Sequence, residues 1–573
     1  MKDRRRSMAE ESFNLLTSPW IKVIGLDSDE EKQISLEDLF QNAQNYRRLS
    51  GEMRSQDLAI LRFLLAILTT VYTRFDANGN PYEWLELDSK SWRPIDNSLD
   101  DDNDDIQEDL LATWEDLFQQ GSFSDIVVKY LEKYAARFDV FGKQPFYQVT
   151  AEIYDDLTSK KIASGKGTVA IKQMNRLISE SNNSPDIFSP KSSSQKNKIG
   201  TAEFVRWLIS YQNFTGTTDK TKIKGVEKYS ASAGWLYGLD TVYAQGKTLF
   251  ETLMLNLVLI SDFSGEYGSI IQKPNWEFAS QADYVKYLLE KKAPDNIAGL
   301  YTNWSRMIYV RWDEEPTVFS TCLPKFDDDA INNEIEPMTT WRVKDRHHNT
   351  KHLSDLGKKM WRNFGLYVPT EADTQNADMK PGIVNWLSLL KDEQLIPDAH
   401  YVNLATANLI SDGNATSQLP AAEISDDLYI NADILFDLHW TTKIEDAIEY
   451  TQQIIKYYWG FANGLAELRG IGDKRDFANR LSEDFYNRLN EPFNNWLIDL
   501  DPMQPTTPQI LKWEDEVLLR QVDEQVNAVM ATASPKEIIG KHEDKNNEKM
   551  IKNIFILVNI LRASINKYRK KLR

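Results

Sequence analysis

The chain has 573 residues, too many for one ordinary core, and 41% hydrophobic content with 16 Trp and 24 each of Tyr and Phe excludes a globally disordered polymer. Its single cysteine, Cys322, excludes intrachain disulfides and any cysteine-rich zinc site, and fits a reducing cytoplasm. The net charge of −19 argues against a free-standing DNA-binding protein, because Lys and Arg on phosphates dominate such affinity, but it permits local positive patches on one subunit of a larger assembly.

Met1 to Arg6 are charged, but polar and acidic residues follow, unlike a signal peptide. Phe13 to Val23 predicts a short extended entry anchored by Trp20, and Ser35 ahead of Leu36-Glu37-Asp38-Leu39-Phe40 predicts a capped helix. Leu58, Leu61, Leu65, Leu68 and Tyr72 share one face of a first long helix, and the apolar run Leu58 to Val71 contains Arg62 and is too short to span a bilayer. Asp96 to Asp109 is acidic and of low complexity. It lacks the loop glycine and distal Glu of an EF-hand, so it reads as a solvated insertion.

A helix is expected around Phe123 to Phe138, and a strand after Gln148. Ser181 to Gly200 has no apolar period and reads as an exposed loop, followed by a helix over Thr201 to Phe214 and a second polar segment, Thr215 to Gly225. An apolar helix is predicted over Thr248 to Ile260, and a hairpin from Met307–Trp312 and Val318–Leu323. Asp412-Gly413-Asn414 marks the turn of a protruding hairpin between Leu404–Ile410 and Gln418–Leu428. Four helical patterns close the chain: Thr442 to Leu468, Arg475 to Leu500, Pro508 to Thr532 and Asn547 to Leu572. The expected fold is therefore α+β: a large mixed, mostly helical N-terminal domain with short β-hairpins over 1–430, then a four-helix bundle over 431–573.

The loops flanking the 201–214 helix hold Lys191, Lys196, Lys198, Arg206, Lys220, Lys222, Lys224 and Lys228 against Asp186, Glu203, Asp219 and Glu227, so this region is locally positive. Gly216 with Thr215, Thr217 and Thr218 supplies small residues that let backbone approach a phosphate. Composition alone favours two hydrated surface loops over a nucleic-acid contact. A second basic stretch, Arg342 to Arg362, suits a DNA path or a solvated helix face. The basic end Lys567 to Arg573 is accounted for by a helix C-terminus as well as by nucleic acid. His347, His348 and His352 raise a metal site, since i and i+4 histidines share a helix face, but no Glu supplies the base of H-E-x-x-H. With no P-loop, no G-x-S-x-G and no dinucleotide fingerprint, no catalytic site and no cofactor is expected. The alternatives are a metal-dependent nucleic-acid hydrolase on those histidines and a purely structural scaffold subunit.

The opening N-L-L-x-x-x-W-I-x-V of Asn14 to Val23 and the capped I-x-L-x-x-L-F of Ile34 to Phe40 resemble the start of the CasA family, the large subunit of the type I-E CRISPR surveillance complex Cascade. Further stretches are similar to that family in the same order. They are Phe138 to Phe141 with Gln144 to Gln148, Ala202 to Phe214, Lys247 to Leu257, Glu336-Pro337-Met338-Thr339-Thr340-Trp341-Arg342, and Leu489 to Leu497. The acidic insertion near 100 departs from the pattern, as does the absence of a Cys cluster that some members carry.

The resemblance implies a non-enzymatic, cytoplasmic subunit for antiviral defence that recognises the PAM, a short motif flanking the target, and helps start strand separation and R-loop formation. Its partners would be crRNA, double-stranded target DNA, the backbone and small subunits, and a helicase–nuclease recruited afterwards. A loop contacting crRNA or DNA would match Ile187, Phe188 and Ser189 with Lys191, Lys196 and Lys198. The glycine loop approaching the PAM would match Thr215, Gly216, Thr217 and Thr218, with a PAM lysine at Lys291 or Lys292. The wedge under the last PAM pair would match Gly413, Asn414, Ala415 and Thr416, where Asn414 stands in for the glutamine that some members use.

Overall fold

The structure is a computed structural model describing residues 12–95, 103–175, 177, 191–192, 194–216, 221–226, 229–260, 271–313, 315–344, 347–350, 358–371, 380–397, 400–411, 420–545 and 548–572. The chain is α+β and divides into two compact units: Met1–Leu356 with Asp378–Leu395 and Asn403–Asp427, and Gly357–Ala377 with Ile396–Val402 and Leu428–Arg573.

In the first unit, the entry folds back on itself. Asn14 Oδ1 accepts from the Leu16 amide at 3.0 Å, and the buried Trp20 indole donates to the Leu15 carbonyl at 3.1 Å. Strands Ile21–Gly25, Glu31–Ile34 and Tyr46–Leu49 form an antiparallel sheet with the first in the middle. Ser35 caps the helix Leu36–Asn42, its hydroxyl accepting from the Asp38 amide at 3.2 Å.

The central helix Arg54–Tyr72 extends beyond the apolar run at both ends. By length and composition it could cross a membrane, yet residues 55 to 72 are all buried in the core of this unit. Phe63 on this helix lies edge-on to Trp20, Phe138, Phe146 and Trp276, with ring centroids 5.6 to 6.4 Å away. The aromatic residues of the N-terminal and F-D-x-F stretches thus meet in one cluster. Two guanidiniums accompany it. Arg62 forms a two-pronged pair with Glu336 at 2.8 and 2.7 Å, both side chains fully buried, with the Tyr301 ring 3.7 Å from its guanidinium carbon. Arg74 pairs with Glu277 at 2.7 and 3.0 Å, and the Tyr130 hydroxyl donates to the same carboxylate at 2.6 Å. Each charge is paired and hydrogen-bonded, the condition under which burial is tolerated.

Several expectations yield to the backbone. Residues 103–109 of the acidic stretch open the helix Asn103–Gln120, which buries Ile106, Leu110, Trp114 and Leu117 at helical spacing; residues 96–102 lie outside the described set. The segment after Gln148 is the helix Ala151–Leu157 and not a strand, because Thr150 caps it, accepting from the Ile153 amide at 3.4 Å. Between Phe123 and Phe138 the structure forms the helix Ile126–Lys133 and a 3-10 turn. The apolar helix is Leu249–Leu255. It stops because Asn256 turns its amide to Ala244, accepting from its N–H at 2.9 Å and donating to its carbonyl at 2.7 Å.

Strands Arg306–Arg311 and Thr317–Cys322 pair antiparallel as expected, with Thr168–Val169 added at the edge. Strands Tyr401–Ser411 and Pro420–Asn431 flank the expected protruding turn, and the order continues to Tyr243–Gln245.

The second unit is built on the helix Leu438–Arg469, capped by Asp437 at its start and closed by Gly470 at φ +73, the left-handed conformation a glycine adopts freely. Lys474–Ile498, which contains Pro492, and Ile554–Leu572 pack against it. The third pattern is not one regular helix: Thr506–Leu511 and Leu519–Ala531 are joined by π-helical Lys512–Leu518, and the buried Trp513 indole donates to Thr451 at 2.9 Å. The last helix starts at Ile554 and not near 547, because residues 541–545 and 548–552 pair as an antiparallel hairpin.

Candidate nucleic-acid interface

The helix Thr201–Phe214 positions the basic segments, and its buried face explains why it forms. Phe204, Leu208 and Ile209 are buried, and Gln212 clamps the neighbouring strand, accepting from the Ser305 and Arg306 amides at 2.9 Å each. Arg206 does not belong to the positive surface that its sequence position suggests. It is buried, pairs with Glu52 at 2.6 and 3.1 Å, and donates to the Trp20 carbonyl at 2.7 Å. Burial pushes the Glu52 carboxyl up, but Arg206 and Lys22 outweigh that and hold it below its ordinary value.

The glycine loop leaves from a fixed base. Thr215 and Gly216 are buried, so they anchor the turn and are not its exposed surface. The Thr215 carbonyl accepts from the Gly234 amide at 2.8 Å, and the Gly216 carbonyl accepts from the fully buried Arg306 guanidinium. Thr217, Thr218 and Lys220 lie outside the described residues. Beyond them, Lys222 donates to the Tyr229 carbonyl at 2.9 Å and lies over the Tyr229 ring, while Lys224 is exposed.

Ile187, Phe188 and Ser189, which precede the helix in sequence, and Lys228, which follows it, also lie outside the described residues. Lys191 is partnered by Glu203 at 2.7 Å, Lys196 is half-buried and Lys198 is exposed. Of the candidate PAM lysines, both are exposed. Lys292 pairs with Glu290 at 2.8 Å, whereas Lys291 sits at φ +61 with its carbonyl accepting from the Asp327 amide.

The hairpin tip, Gly413 to Thr416, falls outside the described residues, but its root does not. Asn403, Leu404 and Ala405 pair with Gln245, Ala244 and Tyr243. Higher on the same strand, Asn408 Oδ1 accepts from the Thr241 amide at 2.7 Å and its hydroxyl at 2.8 Å, and Leu404 and Ala407 are fully buried.

The stretch 342–362 is not one helix face. Residues 341–344 and 347–350 form an antiparallel hairpin that pairs Val343 with His348. His347 and His348 are therefore adjacent on a strand and not on a helix, and His352, the i+4 partner of His348 in the metal expectation, lies outside the described residues. Arg362, in the second unit, pairs with Glu483 at 3.0 Å over the Tyr486 ring. Arg569 pairs with Asp515 at 2.7 Å. Cys322 is buried, its thiol donating to the Thr221 carbonyl at 2.9 Å. Among the described residues, three carboxylates gather at Asp327, Asp328 and Asp329, where Lys325 pairs with Asp328 at 2.9 Å. Two neighbouring arginines, Arg47 and Arg48, lie on the short strand Tyr46–Leu49.

The family model described as "CRISPR-associated protein Cse1" matches residues 14–522. Among solved structures, Cse1 from Thermobifida fusca is 20% identical, with a TM-score of 0.72 over 97% of this chain and 98% of that one. CasA (Cse1) from Thermus thermophilus is 16% identical, with a TM-score of 0.63 over 97% and 100%. A chain of a structure titled "CRISPR RNA-guided surveillance complex" is 13% identical, with a TM-score of 0.63 over 97% and 99%. At these identities the structural likeness concerns the fold. No curated protein matches the chain.

Proposed function

The chain belongs to the Cse1 family of CRISPR-associated proteins, and from that premise we propose that it is the non-catalytic large subunit of a type I-E Cascade complex. In this role it recognises the PAM in double-stranded DNA, helps to start strand separation for crRNA pairing, and presents a docking surface to the helicase–nuclease that follows. The N-terminal residues to 430 carry recognition, and the C-terminal helical bundle adjoins the small subunits. A protein that reads only a short PAM leaves the longer sequence check to RNA pairing.

What supports this role is the way two polar segments are rooted in the first unit. The 213–216 turn is tied by Gly234 and Arg306, and the 403–408 leg is tied by Tyr243–Gln245 and Thr241, each just before the chain turns polar. A wedge that opens a base pair needs such a base, since unstacking costs a few kcal/mol and a compliant hairpin would bend instead. Asn414 and Thr416 are short polar side chains suited to a minor groove.

The test is made in the complex reconstituted with crRNA. Replacing Gly413-Asn414-Ala415-Thr416 by an Asn-Gly turn keeps a foldable hairpin and removes its tip. PAM-containing duplex is expected to be captured but unwound much more slowly, and a pre-melted target to rescue the defect. Equal failure on duplex and pre-melted targets would make the tip an assembly contact and sink the wedge role.

A further inference from the structure

The hairpin of strands Tyr401–Ser411 and Pro420–Asn431 has one leg inside its sheet and one at the edge. The strand order runs from the returning leg through the outgoing leg to Tyr243–Gln245. The outgoing leg is therefore held from both sides, whereas the returning leg has a strand neighbour on one side only among the described residues. Its Glu423 reaches the start of the central helix Arg54–Tyr72, where Oε1 accepts from the Ser55 amide at 2.7 Å.

The helix has no acceptor of its own for that amide. Its N-cap position is held by Met53, whose side chain makes no capping hydrogen bond. Gln56 and Asp57 turn their oxygens back to the Glu52 and Gly51 amides, at 3.0 and 2.7 Å. The first N–H groups of a helix lack intrahelical partners, and Ser55 is buried, so its amide would be costly to leave unpaired. A carboxylate also suits the positive end of the helix dipole. A helix that needs only a cap obtains one locally, from Ser, Thr, Asp or Asn at the N-cap. Here the acceptor comes from 368 positions away, on the hairpin.

We propose that Glu423 is a positioning residue for the hairpin: in capping the central helix it ties the returning leg to the core of the first unit. This role rests on the wedge reading of residues 413–416 and supplies a second anchor to it. The first anchor, at Asn403 to Asn408, is on the outgoing leg and grips a strand. With the second leg fastened to a helix, the hairpin does not yield when a base pair resists it.

Glu423→Ala removes the tie and the cap together. Met53→Ser added to it restores a cap from within the helix, because a serine hydroxyl at the N-cap accepts from the second helical amide, that of Ser55. In the full chain alone, the double variant is expected to regain most of the thermal midpoint that Glu423→Ala loses. Hydrogen exchange at the amides of 403–411 and 420–427 is expected to stay about tenfold faster than in wild type. In the complex reconstituted with crRNA, the double variant is expected to capture PAM-containing duplex normally and to unwind it more slowly, with a pre-melted target rescuing the defect. Hairpin exchange at the wild-type rate in the double variant would make Glu423 a helix cap and nothing more. The tip replacement, run beside it, separates the two ideas. Normal unwinding by the double variant next to a slow tip replacement overturns Glu423 alone, whereas normal unwinding by the tip replacement overturns the wedge.

Discussion

Asp57 sits at the foot of the central helix with its carboxyl buried. That burial, partly offset by the Gly51 amide and by Arg54, pushes its pKa up to about 7. An aspartate in an unfolded chain titrates near 4, so between about pH 4 and 7 the folded chain holds a proton that the unfolded chain has released. The stabilising contribution of this group is therefore complete below about pH 4 and lost as pH rises through about 7. Asp57→Asn keeps an acceptor for the Gly51 amide without the charge. It is expected to flatten the stability profile across that window and to stabilise the protein at pH 8 by a few kcal/mol at most. Denaturant melts of both proteins at pH 4.5, 6 and 8 check this; a stability difference that does not change with pH would rule out burial of a charge as the cause. Glu52 is half-buried yet is held low, because Arg206 reaches it at 2.6 Å. The partner, which sequence position does not reveal, decides the direction.

At the scale of elements, the turn after Phe214 depends on close backbone approach. A Cβ on Gly234 would fall inside the van der Waals reach of the Asn213 carbonyl and the Phe214 nitrogen. Gly234→Ala is expected to destabilise the first unit by about 1–3 kcal/mol, the range for overpacking. It should also weaken DNA capture by the assembled complex although no charge changes. Unfolding curves and capture assays on the one variant check both, and normal capture by a destabilised protein would detach this turn from DNA.

The 201–214 helix was readable because its apolar period lies between two polar segments. The 306–322 hairpin was readable from two short β-rich runs. Helix Ala151–Leu157 was missed although Thr150 is a usable N-cap, and the acidic opening of Asn103–Gln120 hid a helix start, where carboxylates are favoured by the dipole. Whether a lysine or arginine faces solvent or a carboxylate partner was not readable. Arg206, Arg362 and Lys191 find Glu52, Glu483 and Glu203, and two of these partners lie more than 100 positions away in the chain.

For the whole molecule, the net charge of −19 opposes another polyanion. The isolated chain is expected to bind duplex DNA weakly and to become tight and PAM-selective only in the RNA-bearing complex; nanomolar, PAM-selective binding by the chain alone at physiological salt would contradict this. The central helix has a consequence of another kind, in time. Arg62 and its carboxylate are 274 positions apart. At a synthesis rate of about 5–20 residues per second, roughly 14 to 55 s separate their appearance on the ribosome. During that interval an apolar helix fit to cross a bilayer is present without the glutamate that will neutralise it. A central arginine disfavours bilayer insertion by about 2.5–3.5 kcal/mol, so the residue that later completes a core pair is expected first to oppose insertion of the nascent chain. Arg62→Leu nascent chains halted before residue 336 are expected to associate with lipid vesicles more than wild type. If they do not, some other feature guards the helix while it waits for Glu336.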